Sequence, residues 1–241
     1  MIVILLYLHF IILIMDRLLA NFKISVNETI FNKDPESSDL GKRIIKNSIE
    51  LIHAIGFDAF TFKKLGAEIG SNESSIYRYF DNKHKLLIYL SSWYWAWLEY
   101  QLVIETHSVS DPNEKLKKAI EIATKSIKED SKHTHINEVT LNKIIIEESY
   151  KSFLTKEVDK ENQDGYFKVY KRFVTRLQEM IIQVNADYKY PKSLASTIIE
   201  TALHQHFLKN HFPTITDCKS GTSPTQFVTD FVFRILNNKA L

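Results

Sequence analysis

The sequence predicts an all-α protein, with a small N-terminal three-helix domain followed by a larger helical body. Three observations carry that expectation. Six glycines and five prolines are spread over 241 residues, about 5% of the chain where roughly 12% is usual, so few turn residues are left for hairpins or phosphate-cradling loops. Apolar residues recur at spacings of three and four, the period of a helix with one buried face. The prolines punctuate those stretches: Pro112, Pro191 and Pro224 each open one, where a missing N–H costs nothing, and Pro213 follows one that ends.

Composition narrows the class further. With 44% hydrophobic and 25% charged residues, the chain can bury real cores, which excludes disorder. A single cysteine, Cys218, excludes an internal disulfide framework or a Cys-rich metal site and points to a reducing compartment. The net charge of +2 diagnoses no partner.

Taken in order, the first element is a run without formal charge, MIVILLYLHFIILI at residues 1–14. It is shorter than the roughly 18 to 20 apolar residues that span a bilayer, and it lacks the basic region and small-residue cleavage site of a signal peptide. The preferred reading is that translation begins at Met15. A membrane or export segment and a genuine hydrophobic arm are the alternatives. Residues 1–37 form an N-terminal extension, in which Phe22 to Phe31 is the one stretch with a strand-like pattern.

About nine helices follow, expected at 39–55, 62–69, 73–79, 82–106, 112–130, 135–150, 163–186, 191–211 and 224–238. Asp111-Pro112-Asn113-Glu114 and Ser223-Pro224-Thr225-Gln226 both read as capping boxes. The domain boundaries are placed at 38–84 for the small domain and 85–241 for the body, with the helix from Asn82 bridging the two.

The stretch from Phe57 to Leu87, FDAFTFKKLGAEIGSNESSIYRYFDNKHKLL, carries the functional signal. Thr61 can cap a two-turn helix that buries Leu65 and Ile69. Gly70-Ser71-Asn72 breaks it, and Asn72 can cap the next helix, anchored by Ile76. Gly66 is small enough for the two helix backbones to approach, and Gly70 supplies the tight turn. This is a helix-turn-helix, in which the second helix projects into the major groove of DNA.

Tyr77-Arg78-Tyr79-Phe80, followed by Asp81-Asn82-Lys83 and Leu86-Leu87, resembles the signature of the tetracycline-repressor (TetR) family of bacterial transcription regulators. The resemblance runs from about Ile44 to Leu87 and is only architectural beyond residue 100. It implies a homodimeric DNA-binding regulator, most often a repressor, whose body takes a small-molecule effector that changes the separation of the two recognition helices.

Chemistry assigns roles within the motif. Tyr77 and Tyr79 carry hydroxyls on rigid arms that can reach phosphate oxygens. Lys83 places a cation beside a helix N-terminus, itself an anion site. Thr61 joins these phosphate candidates through the resemblance. Base reading falls to Glu73, Ser74 and Ser75, with Arg78 one turn on; for Glu73, a favourable helix-dipole charge without a base contact is the preferred reading. From Gly41 to Leu90 there are eight basic residues against five acidic ones, a small excess, so affinity calls for two copies of the domain on one duplex. Lys23 and Lys33 in the extension fit either a DNA-contacting arm or a flap on the domain.

In the body, the last two helices carry apolar stripes wider than packing on one side requires. The family pairs these helices with their copies in a second subunit, which makes Ile198, Ala202, Phe207, Phe227, Phe231 and Ile235 the dimer candidates; the alternative is that both are internal core helices. A two-fold dimer would place recognition helices on a pseudo-palindromic double-stranded operator.

Aromatics crowd the bridging helix. Trp93 and Trp97 share a face and Trp95 lies about 200° round. Core packing is the preferred reading of these residues; as walls of an effector pocket the candidates are Trp93, Trp97, Tyr100, Tyr166 and Tyr170, with Phe153, Phe167 and Phe173 as similar cases. His133 with His135, and His204 with His206, are spaced by two and turn apart on a helix, so no metal is expected. No catalytic constellation or cofactor fingerprint appears, and the chain is expected to be a cytoplasmic non-enzyme without a membrane partner. The competing class is a helical ligand-binding or scaffold protein that keeps this fold without DNA binding.

Overall fold

The computed structural model describes residues 24–127, 135–219 and 221–237. Residues 1–14, Lys23 and His133 lie outside the described residues, as does the start of the strand-like stretch. Among the described residues there are ten α-helices and no strand: α1 (Asp39–Ala59), α2 (Phe62–Glu68), α3 (Glu73–Tyr77), α4 (Lys83–Thr106), α5 (Pro112–Thr124), α6 (Glu138–Glu148), α7 (Val158–Gln163), α8 (Lys168–Val184), α9 (Pro191–His211) and α10 (Pro224–Asn237).

Residues 24–31 make no strand, and among the described residues no second strand is there to pair with their backbone. Two short 3-10 turns stand in their place, Glu28–Ile30 and Pro35–Ser37, capped by the side chains of Asn27 and Asp34. Ile24, Val26 and Ile30 are buried, and the Asn32 amide donates to the Tyr79 carbonyl at 2.8 Å. Residues 24–37 are thus a flap on the small domain. Lys33 stands over the Tyr79 ring, 5.1 Å from its centroid.

Ser38 caps α1 by accepting from the Gly41 amide at 3.2 Å. The helical path ends where the sequence places it, at Gly56, whose φ of +76° turns the chain. Apolar residues one helical turn apart, Ile45, Ile49 and Ile52 among them, are buried in the core, and α1 packs against the Pro35–Ser37 turn, α2 and α6.

Helix α4 is buried on every side from Leu86 to Glu99, as expected of a helix sandwiched between the small domain and the body. Its one buried carboxylate, Glu99, is held by Arg172 and Arg176 of α8, with each Nε at 2.6 Å. Burial alone would raise its pKa, but these hydrogen bonds and charges outweigh that and hold it below the ordinary range.

Three expected spans are corrected. The helix from Pro112 stops at Thr124, with Lys125 already extended. The expected helix at 163–186 is shorter: Gly165 takes φ +85° and α8 runs from Lys168 to Val184, while α7, which ends at Gln163, is a helix not among those expected. Helix α6 starts at Glu138, where Asn137 accepts from the Thr140 amide at 2.8 Å. The capping box of α10 is reciprocal: the Gln226 amide donates to Ser223 Oγ at 3.2 Å, and the Ser223 amide to Gln226 Oε1 at 2.8 Å.

Candidate nucleic-acid interface and ligand cavity

The helix-turn-helix is built by three local devices. Thr61 accepts from the Lys64 amide at 3.2 Å and starts α2. Asn72 Oδ1 accepts from the Ser75 amide at 2.9 Å and starts α3. Between them Gly70 takes φ +62°, while a Cβ on Gly66 would stand 2.7 Å from the Ser71 carbonyl oxygen. Only glycine permits that approach of α2 to the turn. Ile76 is fully buried and fixes α3 by its inner face.

The outer face of this unit presents Ser74 and Arg78 to solvent. Ser74 and Ser75 both donate to Asn72 Oδ1, at 2.8 and 2.6 Å, which leaves each hydroxyl free to accept. Glu73 accepts from the Tyr77 hydroxyl at 3.3 Å. Tyr77 is 47% exposed with its ring edge-on to Phe62. Partial desolvation of the phenol and the neighbouring Glu73 charge raise its pKa, so the hydroxyl stays a donor.

Two phosphate candidates are placed otherwise than expected. Tyr79 is only 3% exposed, and its hydroxyl is 2.8 Å from Ser38 Oγ, so it ties the flap junction to α3. Lys83 Nζ donates to three carbonyls at the end of α1, those of Phe57, Asp58 and Phe60, at 2.9, 3.0 and 3.1 Å. An ammonium has three donors, and all are spent on the orphan carbonyls of a helix terminus. In this arrangement Lys83 has no N–H left to donate to a phosphate.

The body holds a cavity of about 310 Å³ among α4, α7, α8 and α9. Tyr166 and Tyr170 line it, with Phe153 and Phe167. Trp93 and Trp97 do not: they stack on each other at 6.4 Å, both buried, while Trp95, on the opposite side of α4, forms the wall. Tyr100 is not part of the lining, and Phe173 is core. The helical period places Trp93 and Trp97 together but does not say which side of a fully buried helix faces the void.

Sequence reasoning missed Glu200, which reaches the cavity from α9 and accepts from Tyr170 at Oε1 and from Tyr150 at Oε2, both 3.1 Å. Burial first and the Glu200 charge second push the Tyr170 phenol well up. A signal was present: Glu200 is the one Asp, Glu, Lys or Arg from Ser193 to Leu208. Among the described residues no three His, Cys, Asp or Glu side chains gather as a metal site. His135 pairs with Glu36 at 2.9 Å, His206 bonds the Thr124 carbonyl, and exposed His204 stacks near Phe207.

The apolar stripes of α9 and α10 are split by the fold. Ile198 and Ala202 are buried within the chain itself, so these two dimer candidates are corrected to core residues. Phe227 is 43% exposed and Phe207, Phe231 and Ile235 are half-buried. Phe227 and Phe231 stack at 6.4 Å along one side of α10.

Residues 44–90 match the family described as bacterial regulatory proteins, tetR family. No curated protein matches the chain. Among solved structures, AibR in complex with isovaleryl coenzyme A and operator DNA is similar over 82% of this chain and all of its own, with TM-score 0.52 and 17% identity. Superantigen PfiT is similar over 86% of this chain and all of its own, at 0.56 and 14%. A putative transcriptional regulator from Saccharomonospora viridis in complex with choline covers 82% of this chain and 95% of its own, at 0.55 and 15%. Likeness at such identities speaks for the fold alone, whereas the family match covers the helix-turn-helix with its capped, glycine-pinched turn. Residues 44–90 are therefore a DNA-binding domain of the TetR family, carried on a TetR-like all-helical fold.

Proposed function

We propose that the chain is a homodimeric transcription regulator that binds a pseudo-palindromic operator and is released from it, as a repressor, by a small molecule in the cavity. The observation that carries this reading is the solvent-facing side of α3, where Ser74, Arg78 and Tyr77 stand ready for DNA on a rigidly pinched turn. Thr61 and Tyr77 serve as phosphate contacts; Glu73, Ser74, Ser75 and Arg78 stand at the base-reading end. The half-buried Phe207, Phe231 and Ile235 and the exposed Phe227 supply the subunit contact. Similar folds that hold isovaleryl coenzyme A with operator DNA, or choline, support a ligand in the helical body. No described helix is long and apolar enough to cross a membrane, in keeping with a cytoplasmic place of action.

The fold alone does not carry the reading, since superantigen PfiT shares it. The test is a gel-shift or footprint of the chain on its own promoter DNA, across a salt series. Binding that falls steeply with salt is expected, because phosphate contacts release counterions. A folded chain without affinity for its promoter or for genomic fragments would favour a ligand-binding protein that keeps only the fold.

A further inference from the structure

The geometry points to an organic cation, an ammonium group on an apolar body, as the occupant of the cavity, with Glu200 as its counter-ion. This rests on reading the cavity as the effector site.

Glu200 is the half-buried charge in the wall of the cavity. Both its oxygens accept from phenols, Tyr170 and Tyr150, which fixes the carboxylate on the cavity wall. Among the described residues no Lys, Arg or His pairs with it, and its neighbours across the cavity are aromatic. The two other charged lining residues, Asp159 and Lys171, are exposed at the rim and opposite in sign, and Lys171 is hydrogen-bonded to Asn162.

The walls suit the same ligand. Trp95 and Tyr170 meet at 5.1 Å between ring centroids and 59° between planes, which gives a corner of π faces, and Tyr166, Phe153 and Phe167 extend it. Aromatic faces attract cations and bind quaternary ammonium groups where water is excluded. Ser91, 7% exposed, lines the cavity with a hydroxyl that has no hydrogen-bond partner. That orphan oxygen is open to an N–H or a polarised C–H of a ligand. An anion would meet Glu200 unscreened, and a neutral ligand would strip water from the carboxylate without replacing its charge. The volume of about 310 Å³ suits one small molecule.

The test uses three probes of one shape on the full chain: phenyltrimethylammonium, tert-butylbenzene and benzenesulfonate, followed by tryptophan fluorescence and calorimetry. The cation is expected to bind about tenfold or more tighter than the neutral isostere, and the sulfonate not at all. Glu200→Gln, which keeps a carbonyl acceptor for one tyrosine and can donate its amide N–H to the hydroxyl oxygen of the other, is expected to abolish that preference while tert-butylbenzene still binds. Should this variant fail to fold by circular dichroism, the wild-type comparison decides alone. Equal or stronger binding of the neutral or anionic probe, or no binding of the cation at millimolar concentration, would overturn the proposal. Promoter affinity is measured in parallel: cation binding without DNA binding sinks the regulator reading only, and DNA release by an anion sinks the cation only.

Discussion

His84 Nε2 lies 2.8 Å from Glu161 Oε1, and this one contact joins the first turn of α4, next to the DNA-binding unit, to α7, whose Val158, Asp159 and Asn162 wall the cavity. Neighbouring contacts follow the same route. Asn27 of the flap donates to the Gly165 carbonyl at 3.0 Å, and Lys85 stands over the Tyr166 ring. A ligand that moves α7 must break or drag these ties. His84→Ala is therefore expected to leave both separate affinities nearly intact while cutting the effect of ligand on DNA affinity by about threefold or more. Titrating DNA binding with and without a saturating ligand checks this; unchanged coupling would place the relay elsewhere.

The glycines of the small domain differ in why they are needed. Gly66→Ala drives a Cβ to 2.7 Å from a backbone oxygen, whereas Gly70→Ala meets no atom within 4 Å and suffers only from φ +62°. The first is expected to cost about 2–3 kcal/mol and the second about 1 kcal/mol. Urea unfolding of the two variants measures the order, and the reverse order would contradict the close approach of α2 to the turn.

Lys83 acts as a clamp on the end of α1. Lys83→Met keeps much of the stem but loses three charge-assisted hydrogen bonds, for an expected loss of about 1–3 kcal/mol. If Lys83 also contacted a phosphate directly, the slope of log affinity against log salt would shrink by about 0.9. An unchanged slope with a lowered melting temperature is the expected pair of results.

His206 links stability to pH. Burial lowers its pKa; the hydrogen bond to the Thr124 carbonyl opposes this and Lys209 reinforces it. The unfolded chain then takes up the proton first, near pH 6.5, so this contribution is complete above that pH and is lost as the pH falls from there through the lower pKa of the folded state. The melting temperature is expected to drop between about pH 7.5 and about pH 5.5, and His206→Gln to flatten that part of the profile.

Phe227 and Ala202 separate interface from core. Phe227→Glu is expected to yield a folded monomer by light scattering with much weaker promoter binding, because an exposed charge disrupts only an intermolecular contact. Ala202→Glu buries an unpaired charge and is expected to destabilise the chain itself. A dimeric Phe227→Glu would displace the interface from α10.

Much of this protein was legible along the chain because the determinants are local. Thr61, Asn72, Asp111 and Ser223 sit beside the amides they cap, Gly56 and Gly70 turn the chain where they stand, and Gly66, Ile76 and the Tyr77 to Lys83 signature define the helix-turn-helix within about twenty residues. Gly165 was the local signal that went unread.

What only the tertiary structure decided is which face of each helix meets which neighbour. A period of 3.6 residues says that Trp93 and Trp97 lie together and Trp95 apart, but a helix buried on all sides has no polar face to mark its orientation, so Trp95 rather than its neighbours walls the cavity. The wide stripes of α9 and α10 likewise conceal that Ile198 and Ala202 are spent on the chain's own core while Phe227 is not. Lys83 looks like a free cation until α1 ends against it, and Glu200 looks like a surface carboxylate until α8 brings Tyr170 to it. Sequence by itself determined most of the helices and the helix-turn-helix, since caps and turns act over three or four residues; the partners of the charged and aromatic side chains were settled by contacts between residues dozens of positions apart.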